Sequence, residues 1–399
     1  MNNFEKAEKK LKDYNQTHIL DYLENLENEQ KDEAINQILE LDFEKMKELF
    51  QESKKEKDFT KEKIEPIECI DKEKIDIAEK IKLQKLGEEI IKNNQYAVVT
   101  MAGGQGTRLG FDGPKGTFKL DIGENGKYIF EILAETLKKS KELYDVMPYW
   151  YIMTSEQNHN KTVEFFKEHN FFEYDEGKIN FFKQADLPLL TLEGKMVWDD
   201  EKSKIKTASN GNGGVYKALE TNGMIDDMRS KNVKWVYISG VDNIMVKPID
   251  ALFIGLTISK NENVASKSII KDYPDEKIGA FCRRNGKIGV IEYIELSQEM
   301  RNEKNANGDL KYGDSNFVSH LLTVDAIEKI AGQNLRFHAA VKNNMYKFEE
   351  FIFDGFEFVD NMVVMRVKRE EEFAPIKNKE GIDSPETAKK IYERNYFNG

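Results

Sequence analysis

The stretch YAVVTMAGGQGTRLGFDGPKGT, Tyr96 to Thr117, constrains the fold more than any other part of the chain. Its first residues, Tyr96 to Met101, are apolar or β-branched and suit a buried strand. Glycines at positions 103, 104, 106 and 110 follow at once. A backbone this bare can approach a ligand closely with its N–H groups. A strand ending in such a loop presents those groups to an anion, often completed by a helix N-terminus. Arg108 and Lys115 add two cations, and the combination points to a polyphosphate.

Two familiar phosphate loops fail on spacing. In a P-loop the lysine directly follows a glycine and precedes Ser or Thr, whereas Lys115 stands between Pro114 and Gly116. A dinucleotide fingerprint beginning at Gly104 would place its last glycine at Leu109.

Around this loop, short apolar runs alternate with longer amphipathic stretches. YAVVTM, PYWYIMT and VKWVYISG each precede a polar or helical segment. This alternation predicts an α/β layer with a largely parallel sheet. AFCRRNGKIGVIEY predicts a hairpin turning at Asn285-Gly286. Apolar residues at helical spacing, as at Ile19, Leu23 and Leu26 and again at Ile35, Ile38 and Leu39, predict two or three amphipathic helices before Glu52. A charged connection spans residues 51–68, and a helix over roughly Asp71 to Lys92 leads into the first strand. The last stretch predicts a strand, a loop with Pro375, and a helix capped near Asp383 or Ser384. The expected organisation is an N-terminal helical region over 1–92, a central domain over 93–360 and a small C-terminal region over 361–399.

Composition narrows the function. The chain has 399 residues and a net charge of -12. An acidic balance argues against a nucleic-acid or membrane-surface binder, though not against a local phosphate pocket. Cys69 and Cys282 lack metal-ligand spacing and read as reduced thiols of a cytosolic protein. The first residues carry no secretory pattern, and no run is long enough to span a membrane. His18, His159, His169, His320 and His338 show no metal spacing and read as structural or solvent-facing.

Asp242 closes the run WVYISGVD. A carboxylate at the end of a parallel strand lies where open α/β sheets bind ligands, and its oxygen suits Mg2+. A helix N-cap is the alternative role for an aspartate at such a position.

The loop matches every fixed position of the pattern G-G-x-G-T-R-L-G-x-x-x-P-K-G, and in this it resembles the UDP-sugar pyrophosphorylase family of uridylyltransferases. MTSEQNH, FFKQADLPLL, SNGNGGVYKAL, ISGVDNIMVK, IGAFCRRNGKIGVIEY, KFEEFIFD and REEEFAPIKN resemble the same family in the same order, and LDFEKMKELF resembles its helical leader. The resemblance implies a GT-A-like, Rossmann-like nucleotidyltransferase core with a mixed, mostly parallel sheet. It implies transfer of uridylyl from UTP to a sugar 1-phosphate, with Mg2+ as cofactor. N-acetylglucosamine 1-phosphate is the first expectation for the acceptor, and glucose or galactose 1-phosphate the second. Arg108, Lys115, Lys347 and Lys377 are then the phosphate-directed cations, and Asp242 the metal ligand. Gln184, Gly211 and the backbone of Ala102, Gly103 and Gly104 are expected at the nucleotide. Asn212, Gly279 and Glu292 are expected at the sugar. The chain departs from the family where NAGN becomes GDSN, so that Gly313 replaces an asparagine expected at the sugar and Asp314 or Asn316 is left to substitute. It departs again at Asn210, where an aspartate is usual.

Overall fold

The computed structural model describes residues 1–55, 62–306 and 308–397, so the middle of the charged connection lies outside the described residues. Its main sheet contains Ile70–Asp71 (β1), Tyr96–Met101 (β2), Tyr149–Thr154 (β3), Ile179–Lys183 (β4), Trp235–Gly240 (β5), Val264–Ile270 (β6), Asp314–Thr323 (β7) and Val363–Arg366 (β8). They lie in the order β1-β8-β6-β7-β5-β2-β3-β4. Every neighbouring pair is parallel except those of β7, which runs antiparallel to both β5 and β6. Along this path the sheet is mainly parallel, as the alternating pattern predicts; Ile64–Pro66, Ala280–Arg284 and Lys287–Ile291 join it through antiparallel pairs, so the whole sheet is mixed.

β2 is buried at all six positions, which explains its unbroken apolar reading. Its Thr100 hydroxyl accepts a hydrogen bond from Trp150 Nε1 at 2.8 Å, so the largest fully buried side chain leaves no orphan donor. This topology sends the carboxyl ends of β2, β3, β4, β5, β6 and β8 to one edge, joined there by the amino end of β7.

The predicted hairpin is present as Ala280–Arg284 paired with Lys287–Ile291. Asn285 and Gly286 take φ of 52° and 83°, the two positive values that a two-residue type I′ turn requires. The last helix is Pro385–Tyr396, and the Ser384 side chain accepts from Thr387 N–H at 3.3 Å while Thr387 Oγ1 accepts from Ser384 N–H. The expected helix before β2 begins later than its pattern suggested, at Ile77, because Asp76 caps it by accepting from Ala78 N–H at 2.8 Å.

The N-terminal region holds four helices rather than two or three: Asn3–Asp13 (α1), His18–Glu24 (α2), Asn28–Glu40 (α3) and Phe43–Ser53 (α4). Asn15, with φ of 57°, ends the first, and Asp42 caps the last by accepting from Lys45 N–H at 2.9 Å. Their apolar faces share one cluster with Leu190, Met196, Ile205 and Phe348. That cluster is the core of a smaller compact unit, residues 1–58, 185–214 and 335–351. The larger unit, residues 59–184, 215–334 and 352–399, contains the main sheet. Both units are discontinuous in sequence, so they divide the chain on a different basis from the three linear stretches expected above.

Within the larger unit, β6 carries a fully buried lysine. Lys267 Nζ contacts Asp250 Oδ2 at 2.7 Å and Glu372 Oε2 at 2.8 Å, and donates to Lys247 O at 3.3 Å. Burial alone would raise the Asp250 pKa, but Lys267 and Lys72 more than offset it and hold that carboxyl at about 2. On β7, His320 is equally buried; its Nδ1 shares a 2.6 Å hydrogen bond with Ser266 Oγ, and burial pushes its pKa down to about 3.

His320 is thus neutral in the folded chain, while in the unfolded chain it takes up a proton near pH 6.5. The unfolded state binds more protons below that pH, so this contribution to stability is intact above it and is lost as pH falls. Between pH 7 and pH 4.5 the His320→Asn variant is expected to lose about 2–3 kcal/mol less stability than the natural chain. Denaturant titrations of both proteins at the two pH values measure this difference.

Candidate active site

The glycine loop leaves β2 at the carboxyl edge and folds back on itself. Gly106 N–H donates to Gly113 O at 2.9 Å, and Lys115 N–H donates to Gly104 O at 3.1 Å, closing a short bridge between Gln105 and Pro114. Asn158, from the MTSEQNH stretch after β3, is fully buried beneath it. Its Nδ2 donates to Ala102 O at 2.9 Å and to Gly104 O at 3.4 Å, while its Oδ1 accepts from Ser155 N–H. The carbonyls of Ala102 and Gly104 are therefore turned inward and satisfied. The amides of Gly103, Gly104 and Gln105 donate to no acceptor among the described residues.

Lys115 opens the short 3-10 turn Lys115–Thr117, after Pro114 with φ of -58°. Burial holds its pKa below the usual lysine range; Asp242 pulls it up, and Lys377 and Arg108 push it further down. The four expected residues Arg108, Lys115, Asp242 and Lys377 thus share one electrostatic neighbourhood centred on Lys115, in which Asp242 is the one group that favours its charge. Arg108 is exposed, and Lys377 is half-buried near Asp383, with its Nζ 3.6 Å from that carboxylate.

Asp242 follows β5 and caps no helix, which removes the second reading of that residue; the next helix, Ala251–Ser259, is capped by Asp250. Asp242 O accepts from Ile376 N–H at 2.8 Å. Its neighbour Asn243 is buried and fully engaged: Nδ2 donates to Glu372 O at 2.8 Å, and Oδ1 accepts from Ala374 N–H at 2.9 Å and Met245 N–H at 3.2 Å. Asp242 and Lys377 are therefore tied through one backbone bridge. No group of three or more His, Cys, Asp or Glu side chains that could hold a metal occurs among the described residues.

Gln184 follows β4 and is 7% exposed, and its side-chain oxygen has no hydrogen-bond partner. A Cβ on Gly103 would lie 2.0 Å from Gln184 Nε2, so a glycine is required for this approach. Ser155 Oγ is also buried without a partner, and its Cβ lies 3.6 Å from the same point. An amide with an uncommitted carbonyl, beside uncommitted backbone donors, can read both a donor and an acceptor on a planar base.

At the start of β7, Asn316 N–H donates to Gly279 O at 2.9 Å, and Glu292 Oε1 lies 3.1 Å from where a Cβ on Gly279 would stand. These three expected residues are thus brought together. Asp314 is committed elsewhere, accepting from Arg366 Nε at 2.8 Å, from Arg366 Nη2 at 2.6 Å and from Ser268 Oγ at 2.9 Å. Gly313 is enclosed, since a Cβ there would meet Leu310 O at 2.9 Å.

The remaining expected residues belong to the smaller unit. Gly211 has φ of 92°, and a Cβ on it would lie 2.4 Å from Glu350 O. Asn210 Nδ2 donates to Glu350 Oε2 at 3.0 Å, and Asn212 opens the turn Asn212–Gly214. Lys347 lies on the strand Met345–Glu350, its Nζ 2.9 Å from Glu349 Oε1.

Comparison with known proteins settles the kinship. The family model described as UTP–glucose-1-phosphate uridylyltransferase matches residues 41–382. The chain belongs to this uridylyltransferase family. It is 34% identical over 415 aligned positions to UDP-N-acetylglucosamine diphosphorylase 2 of Arabidopsis thaliana, covering 96% of this chain and 82% of the relative. It is 35% identical to UDP-N-acetylglucosamine pyrophosphorylase of Saccharomyces cerevisiae, covering 77% and 70%. Its fold is similar to the uridine diphosphate N-acetylglucosamine pyrophosphorylase of Trypanosoma brucei solved in complex with an inhibitor, with a TM-score of 0.85, 28% identity, and coverage of 98% and 84%.

This uridylyltransferase-family chain also uses residues that sequence reasoning passed over. Asn158, Ser155 and Asn243 sit inside quoted motifs; Asn158 and Ser155 hold or line the glycine loop, and Asn243 ties the segment after β5 to Glu372 and Ala374. Their signal was a short polar residue within four positions of the end of a buried strand.

Asn243 gives the site a test that needs no ligand. Asn243→Ala leaves Ala374 N–H, Met245 N–H and Glu372 O unpaired, with a loss of about 2–4 kcal/mol expected. Hydrogen exchange at the amides of Ala374 and Met245 should accelerate more than at Val98 in β2.

Proposed function

We propose that the chain transfers uridylyl from UTP to a sugar 1-phosphate, releasing pyrophosphate, with N-acetylglucosamine 1-phosphate as the acceptor. The observation that carries this reading is the gathering of Asp242, Lys377 and Arg108 around Lys115, on a loop with three uncommitted amides. Named relatives that act on UDP-N-acetylglucosamine support the choice of acceptor. The mixed, mostly parallel sheet with its ligand-directed carboxyl edge supports a GT-A-like nucleotidyltransferase core.

A phosphate oxygen of the sugar 1-phosphate forms a bond to the α-phosphorus of UTP, and the bond from that phosphorus to the β-phosphate bridge breaks. Pyrophosphate leaves with the electron pair. The attacking phosphate is already ionised at neutral pH, so no side chain has to remove a proton. Catalysis then rests on alignment and on offsetting charge. Gly103, Gly104 and Gln105 donate amides to the triphosphate, while Arg108 and Lys115 neutralise its oxygens. Lys377 is assigned to substrate phosphates. Gln184 reads the uracil beside Gly103, and Gly279, Glu292 and Asn316 read the sugar; the backbone of Ala102, expected at the nucleotide, is instead spent on Met153 O and Asn158 Nδ2.

Mg2+ takes one or two protein carboxylates when phosphates supply the remaining oxygens, and Asp242 fits that donor set. When bound, the ion would offset charge on the phosphate oxygens. Two free cysteines, and no helix among the described residues long and apolar enough to cross a membrane, support a cytoplasmic setting.

Pyrophosphate release with UTP and a panel of sugar 1-phosphates tests the reading, with the fastest turnover expected for N-acetylglucosamine 1-phosphate. Release with none of them in folded protein would instead favour an inactive UDP-sugar-binding sensor. Lys115→Ala is expected to lower kcat/KM by about 100- to 1000-fold without unfolding the chain. Turnover retained within a few fold would remove Lys115 from the phosphate clamp.

A further inference from the structure

β6 places two lysines four residues apart in buried settings, and their surroundings differ. Lys267 is enclosed by Asp250 and Glu372, so its charge is compensated within the protein. Lys271, just past the carboxyl end of β6, is only 5% exposed. Its ammonium makes no hydrogen bond or ion pair with any described residue. Its stem is thus taken up within the protein, while the ammonium keeps some accessible surface and is left for an acceptor from outside the chain.

The position of Lys271 says what that partner is. Its N–H donates to Gly313 O at 3.0 Å, which pins it across from the start of β7 and within three residues of Asn316. Asn316 N–H in turn holds Gly279, and Glu292 faces Gly279. Burial depresses the Lys271 pKa, while Glu276, Glu292 and Asp275 act to raise it and Arg301 to lower it further. Glu276 is itself committed to Arg369, whose Nη1 lies 3.2 Å from Glu276 Oε2. Three carboxylates in this neighbourhood disfavour a phosphate as the ligand of Lys271. A neutral oxygen, such as a hydroxyl or an amide carbonyl, meets no such repulsion. Gly313 cannot supply a polar contact, because a side chain there would strike Leu310 O.

We propose that Lys271 is a sugar-contacting, specificity-determining residue whose ammonium donates hydrogen bonds to a neutral oxygen substituent of the hexose, next to Gly279, Glu292 and Asn316. This deepens the functional reading above and rests on it. Lysine has three donors and no acceptor, so Lys271 complements Glu292, which accepts from hydroxyls on the same sugar.

The test compares the natural chain with Lys271→Met, which keeps the stem and removes the donors. Pyrophosphate release is measured against N-acetylglucosamine 1-phosphate at saturating UTP, and UTP binding is measured separately by calorimetry. The KM for the sugar 1-phosphate is expected to rise about tenfold to a hundredfold, with the Kd for UTP changed by no more than about twofold. A sugar KM within about twofold of the natural value, in a variant that still binds UTP, overturns the proposal. Should Lys271→Met fail to bind UTP, Lys271→Leu, which also removes the donors, replaces it. A Lys271→Leu chain that binds UTP with a raised sugar KM supports the proposal; one with an unchanged sugar KM, or one that also fails to bind UTP, overturns it. A natural chain that releases no pyrophosphate with any sugar 1-phosphate defeats the functional reading itself. An active natural chain with an indifferent Lys271→Met defeats only the role given to Lys271.

Discussion

Lys115 sits partly out of water with Asp242 as its one favourable partner and with Lys377 and Arg108 opposing it. Like charges gathered in this way repel, and nothing in the isolated loop would keep them together. The surrounding structure therefore has to impose the arrangement, and much of the larger unit can be understood as doing so. Pro114 and the bridge between Lys115 N–H and Gly104 O fix where the lysine begins. Asn158 holds the other side of the loop from below. Such repulsion becomes attraction once a polyanion arrives, which is the form of preorganisation that phosphoryl chemistry needs.

The sheet topology makes the gathering possible. Parallel strands deliver every loop that follows them to the same edge, so the segments after β2, β3, β4, β5, β6 and β8 meet there without long connections. The reversed strand β7 contributes its amino end instead, which brings Gly313 to Asn316 to that edge from the opposite chain direction. A wholly parallel sheet would have sent this segment to the far side. The antiparallel insertion therefore brings the Gly313 to Asn316 segment to the same edge as the glycine loop.

What the sequence made legible was local. β2 and its loop declare themselves because burial on both faces and missing side chains are properties of consecutive residues. Asn285-Gly286 and Ser384 are legible for the same reason, since a type I′ turn and an N-cap are decided within four residues. The helical leader was read as helix but not divided correctly, because the breaks at Asn15 and Asp42 depend on single backbone and capping choices inside one amphipathic pattern. Lys267 and Glu372 stand 105 positions apart, and no periodicity links them. Asn158 and Asn243 look like ordinary polar loop residues until their carbonyl and amide partners are known. Lys271 is one among 60 Lys and Arg residues, and only its burial without a partner distinguishes it.

The coupling of Asp242 to Lys377 has a consequence for how the site behaves as a unit. Ile376 N–H is bound to Asp242 O, and Asn243 grips Glu372 O and Ala374 N–H. The same Glu372 places its carboxylate on Lys267, which also holds Asp250 at the head of the following helix. Carboxylate and cation are thus carried on two segments clamped at both ends, one clamp made of neutral hydrogen bonds and the other of buried charge. Removing either partner of the buried clamp would leave an uncompensated charge, which is far more disruptive than losing an exposed ion pair. Neither Asp242 nor Lys377 can then shift alone when a substrate binds. Closure around a ligand has to move both together, or leave both in place and bring other cations to them.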